Sequence, residues 1–371
     1  MKTPFYNRHE ALGAKMVTFH GWSMPLVYSG MVDEHNAVRN KAGLFDASHM
    51  GEFIVEGDQA LEFVQKLITN DALKLKDNQV LYTPMCNQAG GIVDDVLVHR
   101  FFNERFMLIV NASNTEKDFN WVVENARGMK VNIENISPQT VLLALQGPMS
   151  KIILQDLTKQ DISKIDYYWF GEFDVAGFKA VVSRTGYTGE LGYEILITGV
   201  AEDKVIGLWD ILIDKGKKYG LMPCGLGSRD ILRLEMKYTL YGNDINEKTN
   251  PLEAGLEWTV KFSKGPFSGS DALLKVKKEG VKRRLVGFIM RERAIARHGY
   301  EIFMGEEKIG LVTSGSFSPS LGKSIGMGYI KADYSSAGTE FDVQIRGKRY
   351  KAKVTDTPFY KKGKGKGEDK T

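Results

Sequence analysis

One boundary constrains this chain more than any other: near Glu279-Gly280-Val281-Lys282-Arg283-Arg284 the texture of the sequence changes. From Leu285 to Phe359 short apolar runs alternate with Gly, Ser and Pro turns, and no helical period is apparent. Leu285-Val286-Gly287-Phe288-Ile289, Ile309-Gly310-Leu311-Val312-Thr313 and Phe341-Asp342-Val343-Gln344-Ile345 are examples. Such runs between tight turns read as a separate small β-barrel. Ahead of the boundary, strand and helix signals mix, which argues for an α+β arrangement. Leu61, Val64 and Ile68 recur at helical spacing, as do Phe119, Val122, Val123 and Ala126, and Val205, Leu208, Trp209, Leu212 and Ile213. A further helix is expected over Ser270 to Lys278. The expected organisation is an α+β region over 1–278, a barrel over 279–360 and a tail over 361–371.

That tail is Gly/Lys-rich with nothing apolar to bury, so disorder is expected there. It carries five lysines and two acids, most of the formal net charge of +4, and leaves the body near neutral. No basic surface with interleaved aromatics marks the body, which disfavours nucleic acid as a partner. Two cysteines, Cys86 and Cys224, are too few for a disulfide framework and suit a reducing compartment. There is no apolar run of ~18 residues and no apolar export core at the N-terminus, so the expectation is a cytoplasmic protein without a membrane partner.

Three stretches invite chemistry. Gly90-Gly91-Ile92-Val93-Asp94-Asp95-Val96-Leu97-Val98 is a turn followed by a strand as apolar as any buried one, interrupted by two carboxylates. Side chains alternate along a strand, so Asp94 and Asp95 point to opposite faces. Either both acids are wet at a solvated turn, or one faces a covered side where an unpaired carboxylate is costly. The local pattern leaves both open. Ser183-Arg184-Thr185-Gly186-Tyr187-Thr188-Gly189-Glu190-Leu191-Gly192-Tyr193-Glu194 is either a glycine hairpin or a loop bringing backbone and tyrosine walls close to a flat ligand. In Pro223-Cys224-Gly225-Leu226-Gly227-Ser228-Arg229-Asp230, Ser228 is an expected N-cap, placing Arg229 in a first helical turn. Arg229 is then either a surface arginine paired with an acid or a fork aimed at a carboxylate ligand. Phosphate-loop, dinucleotide and nucleophile-elbow signatures are absent, and His9, His20, His35, His49, His99 and His298 lack metal spacing.

Taken in order, these stretches and several others resemble the folate-dependent aminomethyltransferase family. The resemblance is carried by Thr3-Pro4-Phe5-Tyr6, Phe19-His20-Gly21-Trp22, Gly43-Leu44-Phe45-Asp46-Ala47-Ser48-His49-Met50 and Thr69-Asn70-Asp71. It continues through the three stretches above, Leu145-Gln146-Gly147-Pro148, Leu240-Tyr241-Gly242-Asn243-Asp244-Ile245 and Thr313-Ser314-Gly315-Ser316-Phe317-Ser318-Pro319. Each motif alone is weak; the collinear set, spanning about residues 3 to 360, is specific.

The resemblance implies a three-domain cloverleaf, with two interleaved α+β lobes and a C-terminal β-barrel around a central folate channel. It implies transfer of a one-carbon unit from the S-aminomethyl-dihydrolipoyl arm of a lipoylated H-protein to tetrahydrofolate, releasing ammonia, without metal or flavin. Asp95 matches the family's catalytic aspartate, with Asp94 orienting or capping. Glu194 matches the pterin-binding glutamate and Arg229 the neighbouring arginine. Tyr82, Asn111, Tyr187 and Met50 match folate-pocket positions, and Arg297 an arginine near the folate tail. Ser228, Ala47 and Leu191 depart from the usual alanine, valine and aspartate, and Leu191 removes a charge beside the folate loop. Tyr360 is a candidate for a C-terminal aromatic contact. Folate-dependent demethylases and non-catalytic folate-binding assembly factors are the alternatives; the Lys-Gly-Cys-Tyr-like motif of the latter is absent.

Overall fold

The computed structural model describes residues 1–361. The expected tail lies, from Lys362 onward, outside the described residues. The fold is α+β, and its six- and five-stranded sheets interleave along the chain. A six-stranded sheet runs in the order Phe170–Val175, Phe178–Ser183, Gly192–Thr198, Thr140–Gln146, Ala42–Asp46 and Leu221–Pro223. A five-stranded sheet runs Gln79–Cys86, Ile92–Phe102, Arg105–Val110, Gly51–Glu56 and Asn132–Asn135. The strand Ala42–Asp46 therefore joins the first sheet before the chain builds the second, and the chain returns to the first sheet at Thr140. A parallel pairing, Leu221–Pro223 on Ala42–Asp46, follows the long helix Glu202–Lys217. A crossover of that kind is what parallel strands require.

Each sheet buries one face under its own helices and turns the other toward its neighbour. Phe53, Val55, Val96, Val98 and Phe106 pack beneath Phe63, Val64, Leu67 and Val122 in one lobe. Leu143, Leu145, Val182, Ile195 and Ile197 pack beneath Ile153, Leu154, Leu208, Trp209 and Leu212 in the other. Between the sheets Ala47, Ile54, Met107, Ile109, Leu142 and Leu196 form a third apolar layer. Fully burying a large aliphatic or aromatic side chain stabilises by roughly 1.5–3 kcal/mol, so these layers dominate the fold's energetics.

Helices sit where the periodicity predicts them, at Ala60–Leu67, Thr115–Asn125, Glu202–Lys217 and Ser270–Glu279. Two local expectations fail. Val123 is 42% exposed, and Asp118, four residues before Val122, takes a place on the inward stripe of that helix. Ser228 is not an N-cap: the helix spans Leu226–Glu235 and its cap is Gly225, in an extended conformation. The reason is packing. A Cβ on Gly225 would lie 2.4 Å from the Leu26 carbonyl oxygen, so only glycine lets the chain enter the helix there. A carboxylate from another helix supplies the acceptor, with Gly225 N donating to Glu34 Oε2 at 2.8 Å and the Ser228 hydroxyl donating to the same oxygen at 3.1 Å.

The strands Arg283–Met290, Glu301–Met304, Glu307–Ser318, Lys323–Lys331, Glu340–Ile345 and Lys348–Thr355 close into a barrel. Phe288 and Phe341 meet edge to face inside it, with ring centroids 5.4 Å apart. Two buried charge clusters fix the barrel against the lobes. Glu235 accepts from Arg39 Nη2 at 2.6 Å and from the Ser318 and Ser320 hydroxyls of the barrel. Burial opposes its ionisation, but His35 and Arg39 outweigh that and hold it at about 2. Asp244 accepts from Arg233 Nη1 at 2.6 Å and from the Thr313 and Ser314 hydroxyls. Removing one partner of such a buried pair leaves an uncompensated charge, which is why they hold the third unit in one place.

Candidate active site

A cavity of about 1000 Å³ lies where the two sheets, the helix Leu226–Glu235 and the barrel meet. Asp95, Glu194, Arg229, Tyr82, Asn111, Tyr187, Met50 and Arg297 all line it. They come from seven separate segments of the chain.

The two aspartates on the strand Ile92–Phe102 part company as strand geometry requires. Asp94 turns inward under the helix Thr115–Asn125 and is fully buried. Its Oδ1 accepts from Asn111 Nδ2 at 2.9 Å and Asn114 Nδ2 at 2.7 Å, and its Oδ2 from Asn111 N at 3.0 Å. Asp95 turns to the cavity. The Tyr82 hydroxyl donates to its Oδ2 at 2.8 Å, and Asn111 Nδ2 to its Oδ1 at 2.8 Å. Asn111 thus grips both carboxylates through one amide. Burial, and next the charge of Asp94, raise Asp95 to about 7, against the downward pull of Tyr82 and Asn111. A carboxyl poised there can take and return a proton at neutral pH.

Across the cavity, the loop after Ser183 brings its backbone close as its glycines allow. A Cβ on Gly186 would lie 2.0 Å from Gln146 Oε1, so any larger residue there would displace the Gln146 side chain. Tyr187 forms a wall, stacked on Tyr238 at 5.7 Å and 24°, its hydroxyl donating to the Thr239 carbonyl. Glu194 is 7% exposed and accepts from the Thr185 hydroxyl. Burial raises its carboxyl, while Thr185 and the Arg229 charge pull it back.

The Arg229 guanidinium sits over the Tyr187 ring, 5.0 Å from its centroid. It makes no ion pair among the described residues, so the reading of Arg229 as a surface arginine held by an acid does not apply. Burial depresses its ionisation, opposed by Tyr187 and Glu194. A half-buried guanidinium that lines a cavity has the chemistry to bind an anion or a carbonyl group. Met50 is half-buried in the wall, and Arg297 is exposed at the barrel edge, its Nη1 donating to the Gly315 carbonyl at 3.2 Å. Tyr360 lies outside the cavity lining and packs on Arg39 at 4.1 Å.

Several lining residues carry no signal that sequence reading used. Trp258 is 56% exposed and stacks on Tyr82 at 5.9 Å and 24°. Thr239 holds both Tyr82 and Tyr187. Both lie in the irregular stretch after the Leu226–Glu235 helix, where neither period applies. Lys237 there has a φ of +58°, which turns the chain back along the cavity. Among the described residues no His, Cys, Asp and Glu cluster could hold a metal ion, and no helix is long and apolar enough to cross a membrane. Cys86 and Cys224 are both buried and free.

Comparison with known proteins covers nearly the whole chain. The GCVT N-terminal domain family matches residues 5–264, and the glycine cleavage T-protein C-terminal barrel domain family matches residues 283–361. An aminomethyltransferase of Halothermothrix orenii is 50% identical over 358 residues, which is 96% of this chain and 99% of that protein. One from Caldanaerobacter subterraneus is 50% identical over 362 residues, 97% of this chain and 96% of that protein. The crystal structure of glycine cleavage system aminomethyltransferase T from Bartonella henselae superposes with a TM-score of 0.91 at 36% identity, over 97% of this chain and 98% of that one.

Proposed function

Because the chain belongs to the glycine cleavage T-protein family, the aminomethyltransferases, we propose that its central cavity receives tetrahydrofolate and that Asp95 carries the proton during transfer. The activity is one-carbon transfer in glycine cleavage. The aminomethyl carbon leaves a dihydrolipoyl sulfur of the H-protein and becomes the methylene of methylenetetrahydrofolate, with release of ammonia and the free thiol. Two hydrogens leave the folate nitrogens; one departs with ammonia and one with the thiol. When bound, tetrahydrofolate supplies the amine nucleophiles.

The cavity's own chemistry fits that acceptor. A pterin is flat and carries ring N–H donors beside a carbonyl. Tyr187 and Tyr82 offer aromatic walls, Glu194 a buried carboxylate acceptor, and Arg229 a guanidinium with no other anion to satisfy. Arg297, at the barrel edge, is placed for the carboxylates of a tail leading outward. Asp95 faces the lumen on the opposite wall, held by Tyr82 and Asn111 in one orientation. It accepts a proton as the new C–N bond forms and stabilises positive charge that develops in a site shielded from water. The observation that carries this reading is that Asp95, Glu194 and Arg229, from three different elements, share one cavity.

The test is ammonia release from aminomethylated H-protein with and without tetrahydrofolate. Release accelerated by the folate, with stoichiometric methylenetetrahydrofolate, is the expected outcome. Equal release in both arms, or one-carbon transfer only from a methylated small molecule, contradicts it.

A further inference from the structure

Asp118, on the helix Thr115–Asn125, has a carboxyl group that nothing in the fold is built to receive as an anion. The residue is fully buried, and neither of its oxygens accepts a hydrogen bond from any described group. Lys117 Nζ comes no closer than 3.7 Å and is committed to the Val93 carbonyl and the Tyr241 hydroxyl. The neighbouring carboxylate is that of Asp94: Asn114, four residues ahead of Asp118, bonds it, and Lys117 bonds the Val93 carbonyl beside it. Two carboxylates in that relation require a proton between them. The donor count says which one holds it. Asp94 accepts three hydrogen bonds from Asn111 and Asn114, whereas Asp118 accepts none.

We propose that Asp118 is a neutral carboxylic acid that donates to Asp94 and thereby acts as a positioning residue for Asp95. Its hydroxyl completes the donor set around Asp94 and fixes that residue as the ionised member of the group. Asn111, which bonds both Asp94 and Asp95, then has one arrangement to adopt. A fixed charge on Asp94 also keeps the next available proton on Asp95, where the cavity can use it. Burial first and the charge of Asp94 second push Asp118 far above the ordinary carboxylate range, with Lys117 opposing weakly. The other titratable groups facing this cluster are Tyr82 beside Asp95, and Tyr241 and Glu247 beside Lys117. This inference rests on Asp95 as the proton carrier, but the protonation state of Asp118 can be read without turnover.

The experiment compares full-length wild type, Asp118→Asn and Asp118→Leu. At about pH 8, well above the usual carboxylate range, the infrared difference between wild type and Asp118→Asn shows the carbonyl stretch of a protonated carboxyl group. No such band means that Asp118 is ionised and overturns the proposal. Asp118→Leu, which removes the donor, lowers kcat by about tenfold with little change in the KM for folate. Asp118→Asn, whose amide donates in place of the hydroxyl, recovers that loss and keeps the acid limb of kcat/KM at the wild-type pH. Undiminished turnover in Asp118→Leu overturns the positioning role. So does an acid limb displaced by about one unit or more toward low pH in Asp118→Asn, since a negative charge would then have been removed. If Asp118→Leu does not fold, the infrared band and the Asp118→Asn profile decide. If no aminomethyl transfer is found at all, the functional reading fails while the infrared result still stands.

Discussion

Asp95→Asn is expected to reduce turnover by about three decades while tetrahydrofolate binding stays within a few-fold of wild type. The substitution preserves shape. Asparagine can still accept from the Tyr82 hydroxyl and still faces the cavity, so the pocket keeps its walls. What disappears is the charge and the proton acceptor. At ~4 Å and an effective dielectric of ~20, a unit charge pair interacts by roughly 4 kcal/mol. Expressed only in the transition state, that energy corresponds to about three powers of ten in rate. Methylenetetrahydrofolate formation under single-turnover conditions, with a parallel folate-binding titration, separates the two effects. Turnover close to wild type would remove Asp95 from the chemistry.

Glu194→Ala carries the second large effect, and it falls on binding. The carboxylate is buried and held by Thr185, and under the proposed function it accepts from ring N–H groups of the pterin. A hydrogen bond to a charged group contributes about 1.5–3 kcal/mol, so folate affinity is expected to fall by about ten- to a hundredfold. Glu194 belongs to the other sheet from Asp95 and makes no bond to it, so kcat at saturating folate should change far less. Calorimetric titration with tetrahydrofolate, alongside kcat at saturation, checks the split. A large loss of kcat with unchanged affinity would place Glu194 in the chemistry instead.

The contrast between Asp95 and Asp118 shows what a sequence can and cannot disclose about such a site. Strand alternation alone requires Asp94 and Asp95 to point apart, and it does so whatever the rest of the chain does. Which face is covered depends on the Thr115–Asn125 helix crossing Asp94, a contact that no local pattern encodes. Asp118 was hidden for the same reason: a polar residue on an inward stripe reads as a break in periodicity until its partner is known. The start of the Leu226–Glu235 helix was misplaced by three residues because Glu34, nearly two hundred residues away, supplies the acceptor that a local serine would otherwise provide. The barrel was legible because its alternation is local and its turns are marked. The interleaving of the two sheets came from the family resemblance; short strands bounded by turns do not say which sheet they join. Trp258 and Thr239 lie in irregular chain, where side-chain direction follows from tertiary packing alone.

The proposed mechanism requires one carboxyl group that binds and releases a proton inside the cavity at neutral pH. The pH dependence of kcat/KM, which reports the free enzyme, tests it most directly. Asp95 is raised to about 7 by burial and by the Asp94 charge, and in the proposed mechanism its ionised form is the proton acceptor. Activity should therefore climb with pH through a single acid limb near about 7, and that limb should be missing from the residual activity of Asp95→Asn. A wild-type profile that is flat from about pH 6 to 8, or a limb that persists unchanged in Asp95→Asn, would contradict it.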